Sequence, residues 1–195
     1  KQRRCLKMTL IIGNGESRSN VKINDIQGIK IGCNAIQRDF YVDHLICVDR
    51  RMVQQALSAK YQGKIYTRKD WAQQFVNVDI VPDLPYAGKE RWDEPFQWGS
   101  GPYAVLLGAK LSKNIKMIGF DLYSTNEHVN NIYKDTLGYD ASTKNAVDPR
   151  YWIHQIEMVF KYYPKTKFTI YNNKDWKCPK NWLFENVSLD IIENI

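Results

Sequence analysis

Between Ser100 and Phe120 the chain reads Ser-Gly-Pro-Tyr-Ala-Val-Leu-Leu-Gly-Ala-Lys-Leu, then Ser-Lys-Asn, then Ile-Lys-Met-Ile-Gly-Phe. The first run is apolar around nearly the whole circumference of a helix, so a helix here is buried. The second is a short apolar run bounded by turn residues, the mark of a strand covered on both faces. A buried helix feeding a buried strand calls for helices layered on a parallel sheet. The helix is expected over Gly101–Leu111, with Pro102 in its first turn and Ser100 as N-cap. The strand is expected over Ile115–Phe120.

The rest of the chain repeats this alternation. Short apolar runs at Met8–Ile12, Gly28–Cys33, His44–Val48, Lys64–Thr67, Val76–Val81 and Lys167–Tyr171 read as strands. Helical spacing appears over Arg50–Tyr61, Asp70–Phe75 and Arg150–Tyr163. We expect the 195 residues to form a single α/β, Rossmann-like domain (1–195) with a largely parallel sheet flanked by helices. No repeat or composition shift marks a second domain. Two polar stretches interrupt the pattern. Pro82–Gly99 holds Pro82, Pro85, Gly88 and Pro95, and its length suits a functional loop. The second, 122–149, reads as a polar lid. The tail from Asn172 is expected to be irregular.

In such a sheet the strand C-termini share one edge, where ligands bind. Gly13, Asn34, Asp49 and Asp121 all fall there. Gly13-Asn14-Gly15 follows a strand directly, and glycines allow close backbone approach. The dinucleotide fingerprint needs glycine where this chain has Arg18, which disfavours NAD. Asn34 suits either a base or ribose contact or a side-chain-closed turn. Ser100 and Gly101 open a helix whose free N–H groups and dipole favour phosphate, whether or not Ser100 also caps it. Asp121 could orient an acceptor hydroxyl, and Tyr123 could donate to a leaving phosphate. The alternatives are a turn aspartate and a packed aromatic. His154 and His128 are the candidate bases, against the ordinary structural role of a lone histidine.

The formal net charge of +7 favours an anionic partner without choosing among nucleotide, sugar phosphate and nucleic acid. Basic residues gather at Lys1, Arg3, Arg4 and Lys7, and between Lys161 and Lys180, where Tyr162, Tyr163, Phe168, Tyr171 and Trp176 are interleaved. That interleaving suits nucleic acid, although a helix end plus a strand explains it better. The four cysteines, Cys5, Cys33, Cys47 and Cys178, show no metal-type spacing, and the three histidines form no cluster. No Asp-x-Asp occurs, so metal-independent chemistry with no cofactor is expected. Reduced thiols, with no signal peptide and no transmembrane segment, point to a cytoplasmic location. The oligomeric state is not encoded legibly.

Taken in order, Gly13-Asn14-Gly15-Glu16-Ser17, Cys33-Asn34, Ser100-Gly101 and Gly119-Phe120-Asp121-Leu122-Tyr123 resemble the bacterial sialyltransferases that build lipo-oligosaccharide. The likeness spans most of Met8–Tyr171. It implies a CMP-sugar donor held by Asn14, Asn34, Ser100 and Gly101, with Tyr123 near the phosphate and Tyr133 as a possible second phosphate tyrosine. It also implies catalysis without a metal and a histidine base shortly before the last helix. This chain has no histidine at that point; His128 lies earlier and His154 lies within the helix.

Three functions follow. The first is a metal-independent, sialyltransferase-like glycosyltransferase that moves a sugar from a nucleoside-monophosphate donor to a glycan or other hydroxyl acceptor. The second is a nucleic-acid-binding or base-modifying protein on the same fold. The third is a non-catalytic nucleotide-binding relative.

Overall fold

In the first strand, β1 (Thr9–Ile12), Leu10 and Ile12 turn to one side of the sheet and Ile11 to the other, and all are fully buried. This two-residue period builds two apolar layers, one on each face. The computed structural model describes residues 8–124 and 127–195; Cys5, Lys1, Arg3, Arg4 and Lys7 lie outside them. After β1 come β2 (Ile29–Cys33), β3 (His44–Ile46), α1 (Arg50–Ser58), β4 (Lys64–Thr67), α2 (Lys69–Ala72) and β5 (Asp79–Ile80). They are followed by α3 (Ser100–Leu111), β6 (Asn114–Ile118), α4 (Arg150–Tyr162), β7 (Lys167–Asn172) and β8 (Val187–Ile191).

The strands form one eight-stranded sheet in the order β5-β4-β3-β2-β1-β6-β7-β8. Every pairing is parallel. The order reverses at β1, between β2 and β6, which makes the crevice at their C-terminal ends the expected ligand position. One layer joins Ile11, Ile31, Ile115 and Met117 to α3 and α4. The other joins Leu10, Ile12, Leu45 and Ile118 to Met52, Val53 and Ala56 of α1.

Helix α3 is buried from Pro102 to Ala109, as its all-round apolar sequence requires. Each large aliphatic side chain buried there contributes about 1.5–3 kcal/mol. Gly108 lets α3 sit close to the sheet: a Cβ there would lie 2.6 Å from Ile11 Cδ1. Asp49 proves to be the N-cap of α1, accepting the Arg51 N–H at 2.8 Å.

Four details differ from the sequence reading. Ser100 is the first residue of α3 rather than its cap; Gly99 occupies the cap position. The strand expected over Val76–Val81 shrinks to Asp79–Ile80, at an exposed sheet edge. The tail is ordered, with β8 pairing along β7 from Phe168↔Val187 to Asn172↔Ile191. Finally, the stretch 82–99 folds into two 3₁₀ turns, Arg91–Asp93 and Pro95–Gln97, around a buried Trp98. Among the described residues no helix is long and apolar enough to cross a membrane.

Candidate functional site

The turns after β1, β2 and β6 meet the start of α3 in one cleft of about 190 Å³. Gly13, Asn14, Gly15, Asn34, Ser100, Gly101 and Asp121 all line it. The sequence placed these residues at one edge, and the structure brings them to one cavity. Asn130 and Asn131, from the polar stretch 122–149, and Trp152 and Ile156, from α4, complete the wall.

The β1 and β6 turns touch backbone to backbone. A Cβ on Gly13 would lie 2.3 Å from the Gly119 carbonyl oxygen, and one on Gly15 would lie 2.4 Å from the Asp121 carboxyl carbon. These glycines therefore serve turn-to-turn packing before any ligand is considered. Asp121 is buried and committed to the same junction. Its carboxylate accepts the Ser17 backbone N–H at 2.9 Å and the Ser17 hydroxyl, and Asn172 Nδ2 approaches at 3.5 Å.

Most acceptors in the cleft wall are occupied from within. Asn14 Oδ1 receives Arg18 Nη2 at 3.3 Å, while Asn14 Nδ2 donates to the Cys33 carbonyl at 3.2 Å. Asn130 Oδ1 receives the Glu16 N–H at 2.9 Å, and its Nδ2 donates to the Tyr123 carbonyl at 2.8 Å. Asn34 Oδ1 receives the Ser100 hydroxyl at 2.9 Å, and Asn131 Oδ1 receives the Tyr133 N–H at 2.9 Å. Ser100 Oγ in turn accepts the Val48 N–H at 3.1 Å.

Donors remain. Among the described residues, Asn34 Nδ2, Asn131 Nδ2 and the backbone N–H groups of Ser100 and Gly101 have no acceptor. The two amides belong to the first turn of α3, whose dipole adds positive potential. Arg18 lies buried directly behind the Gly13 turn. Its Nε donates to the Gly13 carbonyl at 2.6 Å, and among the described residues no carboxylate forms an ion pair with it. Asp39 acts on the same Tyr133 hydroxyl that Arg18 approaches but forms no ion pair with Arg18, so the buried guanidinium keeps positive potential behind the cleft, which favours an anion there.

Four of the residues singled out from the sequence stand elsewhere. On α4, Trp152 and Ile156 are four apart and share the cleft face. His154 lies two residues from each, roughly 200° around the helix. Its Nε2 pairs with Asp93 Oδ1 at 2.6 Å, on the 3₁₀ turn of the 82–99 stretch. His128 is exposed and bridges to Asn145 within the polar stretch. Tyr133 is buried; its hydroxyl lies 3.5 Å from Arg18 Nη2, and its ring packs on Tyr139. Tyr123 opens into a neighbouring pocket.

Besides the wall residues Asn130, Asn131, Trp152 and Ile156, the sequence reading did not single out Arg18 or Tyr139 as contributors. Arg18 was read only as a missing glycine; an arginine four residues after Asn14 in a tight turn was the available signal. Tyr139 accepts the Ala35 N–H at 3.3 Å and lies 3.5 Å from Asn14 Nδ2, joining the polar stretch to the β2 turn. Burial pushes the Tyr139 phenol up to about 12 and the Cys33 thiol likewise up to about 12, so both stay neutral beside the cleft. Among the described residues no three His, Cys, Asp or Glu side chains gather as metal ligands. In the basic C-terminal stretch Phe168 and Tyr171 are buried in the core, which withdraws them from base stacking.

No protein-family model matches this sequence, and no curated protein matches it. Among solved structures the chain is similar to the monofunctional alpha-2,3-sialyltransferase Cst-I from Campylobacter jejuni. The TM-score is 0.62 at 16% identity, covering 98% of this chain and 83% of that one. An alpha-2,3-sialyltransferase from Campylobacter jejuni in apo form gives a TM-score of 0.52, also at 16% identity, over 98% and 82% of the two chains. The shared property at this identity is the fold.

Proposed function

We propose that the protein is a metal-independent glycosyltransferase that uses a nucleoside-monophosphate-linked sugar as donor and a glycan or other hydroxyl as acceptor. The observation that carries this reading is the one-sided chemistry of the cleft. Most of its wall acceptors are consumed internally, while Asn34, Asn131 and the first turn of α3 keep unpaired donors in the lining. Such a site suits a phosphate rather than a neutral ligand. The fold shared with alpha-2,3-sialyltransferases supports the same choice by analogy.

In this reading the Ser100 and Gly101 amides hold the donor phosphate. Asn34 Nδ2 reaches the ribose or base. The acceptor oxygen forms a bond to the anomeric carbon as the bond to phosphate breaks. The electron pair leaves with the phosphate oxygen, where the α3 dipole and the Arg18 charge stabilise it. Neither histidine lines the cleft, so the acceptor proton passes to the departing phosphate, whose second pKa is near ~6. The stretch 122–149 is already tied over the β1 turn by Ile132 N–H to the Asn14 carbonyl at 2.9 Å and by the Lys134–Glu16 ion pair. We assign it the task of keeping water from the donor.

The test is turnover. With CMP- and UMP-linked sugars and a mixture of saccharide acceptors, release of nucleoside monophosphate should depend on the acceptor and persist in EDTA. Nucleotide binding without any release would leave a non-catalytic nucleotide-binding protein instead.

A further inference from the structure

Beside the cleft lies a second pocket of about 710 Å³, lined by Tyr123, Asn172, Asn173, Asp175 and Trp176 among others. Asp121 and Asn130 line both cavities, so the two share a wall. The cleft alone falls below the roughly 300–1,000 Å³ of an ordinary small-molecule site, whereas the second pocket falls within it. A ligand whose phosphate sits at α3 leaves that larger space for something else.

The chemistry of the second pocket differs from that of the cleft. Trp176 donates its indole N–H to the Asp121 carbonyl at 2.8 Å and packs inward towards Trp182, and the half-buried ring keeps part of its carbon surface on the pocket. Tyr123 is 40% exposed at the other wall, so its ring and hydroxyl are accessible. Among the described residues the Asn173 carboxamide and the Asp175 carboxylate have no side-chain partner. A carboxamide both donates and accepts, and a carboxylate accepts from hydroxyls. Lys177 and Lys180 stand at the same wall as Asp175, so the lining carries both signs. Aromatic carbon beside paired donors and acceptors matches a sugar ring, which has an apolar C–H face and a hydroxyl-bearing edge. Lys177 and Lys180 balance Asp121 and Asp175 in the lining, so the pocket offers an anion no net attraction.

We infer that this pocket, framed by Tyr123, Asn173, Asp175 and Trp176, is a carbohydrate subsite that seats the acceptor sugar. The word acceptor rests on the transferase reading above; binding of a sugar there does not. The pocket adjoins the cleft at Asp121 and Asn130, so a hydroxyl of the seated sugar enters next to a donor held at α3.

The full chain should be titrated with glucose, galactose, N-acetylglucosamine and lactose, with and without CMP. Tryptophan fluorescence compared between the parent and Trp176→Phe isolates the Trp176 signal from the other five tryptophans, including Trp152 in the cleft. Alkylation of Cys178, a half-buried thiol in the pocket wall, reports occupancy by peptide mass mapping. At least one sugar should shift the fluorescence saturably and protect Cys178, and it should still do so when CMP fills the cleft. Asp175→Ala and Asn173→Ala change exposed side chains; each should weaken the sugar about tenfold, the loss of one hydrogen bond to a charged or well-placed group. Neither should alter stabilisation by CMP. Sugars that leave both signals unmoved, or bind both variants as tightly as the parent, would overturn the subsite. Nucleotide binding without sugar binding would remove the subsite and spare the transferase reading. Sugar binding without any nucleotide binding would do the reverse.

Discussion

Asp121 lies in the cleft wall, yet its carboxylate faces Ser17 of the β1 turn, where it accepts both the backbone N–H and the hydroxyl. Its first task is to hold two strand ends together. Asp121→Asn replaces an acceptor with an amide that cannot receive both groups. We expect a loss of about 1.5–3 kcal/mol in urea unfolding, the range for hydrogen bonds to a buried charge. A fall in turnover with unchanged stability would instead make Asp121 a direct participant in the chemistry. The positions of Gly13, Asn14, Asn34 and Ser100 at one edge were legible, because strand ends announce themselves through glycine and asparagine. Side-chain commitments were not legible. Asn14 spends its carboxamide on Arg18 and Cys33, and only the fold shows that Asn34 keeps a free donor.

At the scale of elements, α3 and α4 set the cleft through the stretch between β5 and α3. The fully buried Gln155 of α4 accepts the Gly99 N–H at 3.3 Å and donates to the Trp92 and Gln97 carbonyls at 3.2 and 3.1 Å. It thereby fixes the residue that caps α3. Asp93 adds a second tie by accepting from His154 and from the Tyr86 hydroxyl at 2.9 Å. Burial acts to raise the Asp93 pKa, but the hydrogen bonds from His154, the Glu90 backbone and Tyr86 outweigh it and leave the carboxyl below its ordinary value. A depressed carboxyl pKa stabilises the fold above the unfolded value, near ~4, and that stabilisation is lost as pH falls through the folded value. Asp93→Asn should therefore be less stable than the parent at neutral pH, and the gap should close below pH ~4. Urea midpoints across that range would show it; a gap independent of pH would contradict the assignment. Strand–helix alternation made most elements legible in advance. The edge strand β8 escaped because Val187–Ile191 is largely exposed, with charged and polar residues mixed in, and lacks the apolar run that marks the buried strands.

For the whole molecule, one parallel sheet with its order reversing at β1 gathers four chain segments into a cleft that offers donors and few acceptors. The net charge of +7 is too diffuse to locate a ligand; the buried Arg18 behind the Gly13 turn locates it better. The central claim is that this cleft holds the phosphate of a nucleotide. A thermal-shift titration with CMP and UMP, run on the parent and on Asn34→Asp, tests it most directly. Aspartate tolerates the left-handed backbone at this position (φ 51°) and keeps the acceptor for Ser100, but turns the free donor into a repelling oxygen. The account predicts that at least one nucleotide stabilises the parent, by about 2.7 kcal/mol at a hundredfold excess over Kd, and that Asn34→Asp loses most of this. A parent unmoved by either nucleotide, or a variant stabilised as much as the parent, would contradict it.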